Sequence, residues 1–95
     1  MALSIESNRK VVTKAGTAEA LEDAARGVEY VIIQSETDNT GLIAVGDSNV
    51  VAATGSQKGT MLNVGDSMTL LLVDLNDIYI DSAIDGDGVT YLFVG

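Results

Sequence analysis

The chain has 95 residues, 46% of them apolar, and carries fourteen acidic against five basic residues for a net charge of −9. This length supports one hydrophobic core, and the absence of His, Cys, Trp and Pro excludes disulfides, thiolate or imidazole metal sites and any Ser/His or Cys/His nucleophile pair. The acidic balance disfavours nucleic acid and an anionic membrane as partners, and no apolar run exceeds that of Leu70 to Val73, far short of a bilayer span.

The first ten positions hold Glu6, Asn8 and Arg9, so no signal-peptide core fits there and no export signal is expected. Residues 1 to 12 read as an N-terminal arm or edge strand, and residues 13 to 95 as a single β-sandwich domain. Thr17 to Gly27 has helix-forming composition, with Thr17 as an N-cap candidate and Gly27 at the stop position. Its small apolar side chains would bury little area on a helical face, which favours an extended start at Thr17 to Leu21 and a single helical turn through Ala24 to Arg26. Val28 to Ser35 then alternates as a strand, with Val28, Tyr30 and Ile32 on one face and Val31 and Ile33 on the other, so both faces call for burial.

Leu42 to Val45, Asn49 to Ala53 and Gly59 to Val64 are three shorter strand candidates. Asn39-Thr40-Gly41 before them supplies a tight connection, since Asn and Gly tolerate positive φ, and Gly46-Asp47-Ser48 reverses the chain. Ser67 to Asp74 sets Met68, Leu70 and Leu72 against Thr69, Leu71 and Val73. Asn76 to Asp81 carries Ile78 and Ile80 opposite Tyr79, and Gly88 to Val94 alternates Val89, Tyr91 and Phe93 with Thr90, Leu92 and Val94. Asp85-Gly86-Asp87-Gly88 suits a hairpin turn between these last two strands. Short strands separated by turns every eight to twelve residues predict an all-β fold, a small antiparallel sandwich or jelly-roll-like barrel with at most one short helical turn.

Residues 59 to 95 contain six Asp and no basic residue. Asp belongs in turns, where its carboxylate bonds nearby amides, and this is the ordinary reading of these residues. A calcium site through Asp81, Asp85 and Asp87 is the alternative, but an EF-hand register would place Ala83 and Val94 at ligand positions. Paired-carboxylate hydrolysis through Asp74, Asp77 and Asp81 is a further alternative, weakened by placement at strand ends and by the scarcity of aromatic residues for a sugar platform. No catalytic residue, metal ligand or cofactor is therefore nominated, and the chain is expected not to be an enzyme. Strands apolar on both faces in so short a chain point instead to self-association, because one small core does not cover both sides of every strand.

The order Ala15-Gly16-Thr17-Ala18, Asn39-Thr40-Gly41-Leu42-Ile43-Ala44-Val45-Gly46-Asp47-Ser48, Gly65-Asp66-Ser67, Asp74-Leu75-Asn76-Asp77-Ile78-Tyr79-Ile80-Asp81 and Gly86-Asp87-Gly88-Val89-Thr90-Tyr91 resembles the small β-sandwich virion proteins of tailed bacteriophages. Among these it is most similar to capsid decoration, or cement, proteins. Val64 stands where that family often uses Pro. The resemblance implies a virion protein made in the bacterial cytoplasm that binds the outside of an assembled head. Its partner would be the major capsid protein, and it would act as a homo-oligomer, a trimer first and a dimer second. Related sandwiches serve in tails, necks and fibres, and a carbohydrate- or calcium-binding module is a further alternative. The candidate interface residues are Leu3, Ile5, Arg9 and Lys10, on the segment that would reach the partner, with Leu92 and Val94 on the last strand.

Overall fold

A computed structural model describes residues 3–95, and among them the fold is all-β. Eight strands form two antiparallel four-stranded sheets: β1 (Ile5–Val11), β2 (Glu19–Ala20), β3 (Gly27–Ser35), β4 (Ile43–Gly46), β5 (Thr60–Leu62), β6 (Ser67–Asp74), β7 (Tyr79–Ser82) and β8 (Gly88–Val94). The long sheet runs β1-β8-β3-β6 and the short sheet β2-β7-β4-β5. Alternation on β8 turns Val89, Tyr91 and Phe93 inward beside Ile33 and Val31 of β3. Ile43, Val45, Ile80 and Leu62 meet them from the short sheet, giving one apolar core between two layers.

The strands of the long sheet have seven to nine residues and those of the short sheet two to four, so the long sheet extends past its cover. On β1 the inward positions opposite Phe93, Tyr91 and Val89 are the polar residues Glu6, Asn8 and Lys10. Each meets a charged group from the β2–β3 region: Glu6 pairs with Arg26 at 2.8 Å, Lys10 with Glu19 at 3.3 Å, and Asn8 reaches Glu22 at 3.5 Å. The Arg26 guanidinium also lies 4.7 Å from the centroid of buried Phe93, closing the core with a cation over the ring.

The segment between β7 and β8 differs from the predicted hairpin. These strands belong to different sheets, so Asp85 to Asp87 carries the chain from one layer to the other. Gly86 still needs its positive φ of 90° within this turn. Gly88 begins β8 where it passes β1 and the end of β3. A Cβ there would collide with the Lys10 carbonyl oxygen and lie 2.9 Å from Glu36 Oε1 and Val11 Cα. Asn39 fixes the same residue, its Oδ1 accepting from the Gly88 amide at 2.9 Å and its Nδ2 donating to the Gly88 carbonyl at 2.8 Å. The Asn39 side chain thus accepts from the Gly88 amide while the Glu36 amide still donates to the Gly88 carbonyl, and no positive φ is needed at Asn39 or Gly41, contrary to the turn predicted there.

Five further expectations are corrected. Residues 49 to 53 form no strand beyond the single bridge Val51–Lys58, because the buried side chains of Val50 and Ala52 turn into a satellite cluster instead. The helical turn lies at Leu75–Asp77, where Asp74 caps it by accepting from the Asn76 amide, whereas residues 24 to 26 form no helical turn. The strand predicted from Asn76 consequently starts at Tyr79. Leu72 has a φ of 51°, which breaks the alternation of β6: Met68, Leu70 and Val73 pack on the core while Leu71 and Leu72 are exposed. Opposite this break Val28 is buried with Val31 and Ile33, rather than sharing an outer face with Tyr30 and Ile32.

Gly88→Ala is expected to lower stability by about 2 kcal/mol or more, since the contact atoms are backbone and have nowhere to go. Gly27→Ala, where a Cβ meets nothing within 4 Å, should be close to neutral; urea titration of the two variants checks the contrast. Tyr91 supplies a pH signature. Burial pushes its hydroxyl above the ordinary range, and the adjacent Glu22 carboxylate, which accepts its proton at 2.9 Å, pushes it further the same way. The folded chain therefore holds a proton that the unfolded chain releases near pH 10, and stability should fall as pH rises above about 10. Tyr91→Phe should remove that part of the alkaline loss in unfolding midpoints measured from about pH 8 to 11.

Candidate functional site

Five of the six acidic residues of the C-terminal third, all but the exposed Asp77, accept hydrogen bonds from backbone amides. Asp81 is 1% exposed, with Oδ1 accepting from the Gly16 amide and Oδ2 from the Ala52 amide, each at 2.9 Å. Asp87 accepts from Thr40 at 3.0 Å and from Gly41 at 2.8 Å. Asp85 accepts from Ala15 at 2.7 Å, and Asp74 from Arg26 at 2.8 Å. Carboxylates that receive N–H groups are strongly bound in place, at about 1.5–3 kcal/mol for each charged hydrogen bond. Their chemistry is the turn chemistry of the ordinary reading, extended over long sequence distances. Among the described residues no three Asp, Glu, His or Cys side chains converge as a metal-binding group.

The surface with unspent chemistry is the outer face of the long sheet. Cross-strand register aligns one row Ile5, Val94, Tyr30 and Leu71 from edge to edge, and a second row Ser7, Leu92, Ile32 and Thr69 beside it. Neither row contains a charge. Ile5 is 67% exposed and Leu71 69%, with Leu72 at 78% at the same end of the sheet. The third row, Arg9, Thr90, Gln34 and Ser67, is polar, and there the Arg9 Nε donates to Glu36 at 2.7 Å. A shallow depression runs between the last two rows over Ile32, Leu92, Gln34 and Thr90. The face is thus an apolar patch with a polar border, of the kind that marks a protein contact.

Four of the six predicted interface residues come together here: Ile5, Arg9, Leu92 and Val94. Leu3 stands just beyond, lining a separate depression with Gly27, Leu72 and Gly95 at the end of the sheet. Lys10 lies on the other face, bound to Glu19. Burial pulls the Glu19 carboxyl upward, but the amides of Thr13 and Lys14, the Thr13 hydroxyl and the Lys10 ammonium outweigh it and hold it below the ordinary carboxylate range. Lys10 is therefore engaged within the fold. Tyr30, Ile32, Leu71 and Leu72 complete the face and were missing from the predicted set. The apolar alternation of β3 signals Tyr30 and Ile32, whereas nothing in the run Leu70-Leu71-Leu72-Val73 indicates which residue leaves the core.

No protein-family model, curated protein or solved structure matches the chain. Among the described residues no helix is long and apolar enough to cross a membrane.

Asp81→Ala should cost about 2–4 kcal/mol, because the buried Ala52 amide and the part-buried Gly16 amide lose a charged acceptor. The wild-type thermal midpoint should be the same in millimolar calcium as in chelator, as expected if Asp81, Asp85 and Asp87 serve backbone amides rather than a cation; calorimetry reads both.

Proposed function

We propose that the chain is a non-catalytic structural protein of a tailed-phage virion, a decoration protein that docks the outer face of its long sheet on the major capsid protein of an assembled head. One observation supports the docking surface: the charge-free apolar rows Ile5–Val94–Tyr30–Leu71 and Ser7–Leu92–Ile32–Thr69 are exposed or half-buried on a sheet whose other face already holds the core. The partner comes from the resemblance of the motif order to decoration proteins. Such a protein needs no bond chemistry. Contacts made with the assembled shell, and not with separate subunits, shift the equilibrium toward the shell by mass action.

The rows contain no ion pair, so attachment should depend on apolar burial and persist in high salt, where contacts between exposed charges fade. The two rows themselves hold no charged residue, so the net charge of −9 is carried by residues outside them.

Quantitative mass spectrometry of purified particles should find the chain at a simple lattice ratio to the major capsid protein. A few copies per particle would move it to tail, neck or fibre, and its absence would end the virion reading. On stripped particles, Ile32→Asp should weaken rebinding by about a hundredfold, since a carboxylate would be desolvated at the centre of the contact. Its unfolding midpoint should move little, because Ile32 points out of the core.

A further inference from the structure

The four sheet edges are unequal. Natural edges are blunted by brevity, charge or distortion, and a long, flat, apolar edge invites a further strand. β2 has two residues and β5 three, while β1 carries Glu6, Arg9 and Lys10. β6 has eight residues, with no charge between Ser67 and Val73, and among the described residues it is bonded on one side only. Its distortion at Leu72 leaves Ser67 to Leu71 regular.

The direction of the open hydrogen-bonding groups follows from the ladder. The Ser35 amide donates to the Asp66 carbonyl at 2.8 Å, and alternation along the antiparallel pair then turns Met68 and Leu70 toward β3. The N–H and C=O groups of Ser67, Thr69 and Leu71 therefore face the open edge. We infer that two copies of this chain pair antiparallel through β6 about a twofold axis at Thr69, joining their long sheets into one eight-stranded sheet.

Parity and charge restrict the register. Hydrogen-bonded pairs must join residues whose backbone groups face outward, which rules out an axis midway between neighbouring residues. An axis at Leu70 would set Asp66 opposite Asp74 of the second copy, two like charges in direct opposition. An axis at Thr69 exchanges bonds between Thr69 and its own copy and between Ser67 and Leu71, with both acids beyond the paired stretch.

The same register sets Met68 opposite Leu70 of the second copy on the core side. Both are only half-buried at the open margin of the hydrophobic core, and each would cover the other. These are the self-complementary contacts that a twofold interface requires. The two outer faces come to lie on the same side. The row Ser7, Leu92, Ile32 and Thr69 then runs on without a break into its symmetry mate, so the pair carries twice the apolar face of one chain.

Pairing five residues of one strand buries less than a standard interface, so the dimer should have a dissociation constant of about 1–100 μM. Two chains of charge −9 repel, so added salt should tighten the dimer, the reverse of a contact made by opposite charges. Sedimentation equilibrium of the full-length chain reads both.

Thr69→Lys sets like charges opposite each other at the axis and should weaken the dimer tenfold or more. Thr69 is exposed, so the monomer should keep its unfolding midpoint. Since the chain has no Cys, Thr69→Cys provides a single reporter: with oxidised glutathione as oxidant it should form a covalent dimer, the paired Cα atoms lying about 5.5 Å apart.

A chain that stays monomeric up to about 1 mM overturns the inference. So does association that survives Thr69→Lys but is lost in Ile32→Asp, which would instead indicate packing of face on face. These readouts use the isolated chain, so they stand or fall independently of whether it binds a particle.

Discussion

A β-sheet has two faces, and this chain builds two sheets that share one core. That constraint leaves the outer face of the long sheet without a protein layer over it, whereas the loop carrying Val50 and Ala52 covers Ala44 on the outer face of the short sheet. The long sheet is the one whose outer face carries apolar rows, with Ile5, Val94, Tyr30 and Leu71 aligned across all four strands. A third layer would have hidden them, but the described residues form two. The exposed apolar surface is therefore a direct result of how the chain divides its residues between layers.

The second organising feature is the use of carboxylates as backbone acceptors. Asp81 joins the loop at Gly16 to the loop at Ala52, and Asp87 receives Thr40 and Gly41 just before β4 begins. Each ties segments far apart in sequence to the point where the chain crosses from β7 to β8. The short sheet has little strand length with which to hold its own loops, and these charged hydrogen bonds supply the order instead. The acidic C-terminal third, which as a string of residues suggests a cation site or an acid pair, is thereby absorbed into the architecture. Asn39 does comparable work at Gly88, binding its amide and sharing its carbonyl with the Glu36 amide at the position where β1, β8 and the end of β3 come closest.

The polar margin of the long sheet follows from the mismatch between the layers. Where the short sheet ends, the inward positions of β1 change to Glu6, Asn8 and Lys10, and these reach Arg26, Glu22 and Glu19. Three of the five basic residues, Arg9, Lys10 and Arg26, are held in ion pairs within the fold, so few positive groups remain to attract an acidic partner. The apolar outer rows, and the unguarded edge of β6 beside them, are left as the surfaces on which association can be built.

Period-two alternation in the sequence determined the all-β class and most of the strands. It correctly assigned the two faces of Gly88 to Val94, because every second residue of a regular strand must face the same way. Ile5 was an interface candidate as part of the N-terminal segment expected to reach a partner, and Lys10 was grouped with it, since a basic residue in that segment carries no mark of the Glu19 that engages it. Which sheet each strand joins was decided only in three dimensions: Asp85 to Gly88 is composed like a hairpin turn and yet crosses between layers. The exposure of Leu71 and Leu72 was likewise tertiary, arising from a positive φ in a run of apolar residues with no turn signal. Alternation and turn composition are local properties of the backbone, whereas strand partners, layer coverage and the destination of a carboxylate depend on residues tens of positions away, brought together only when the core closes.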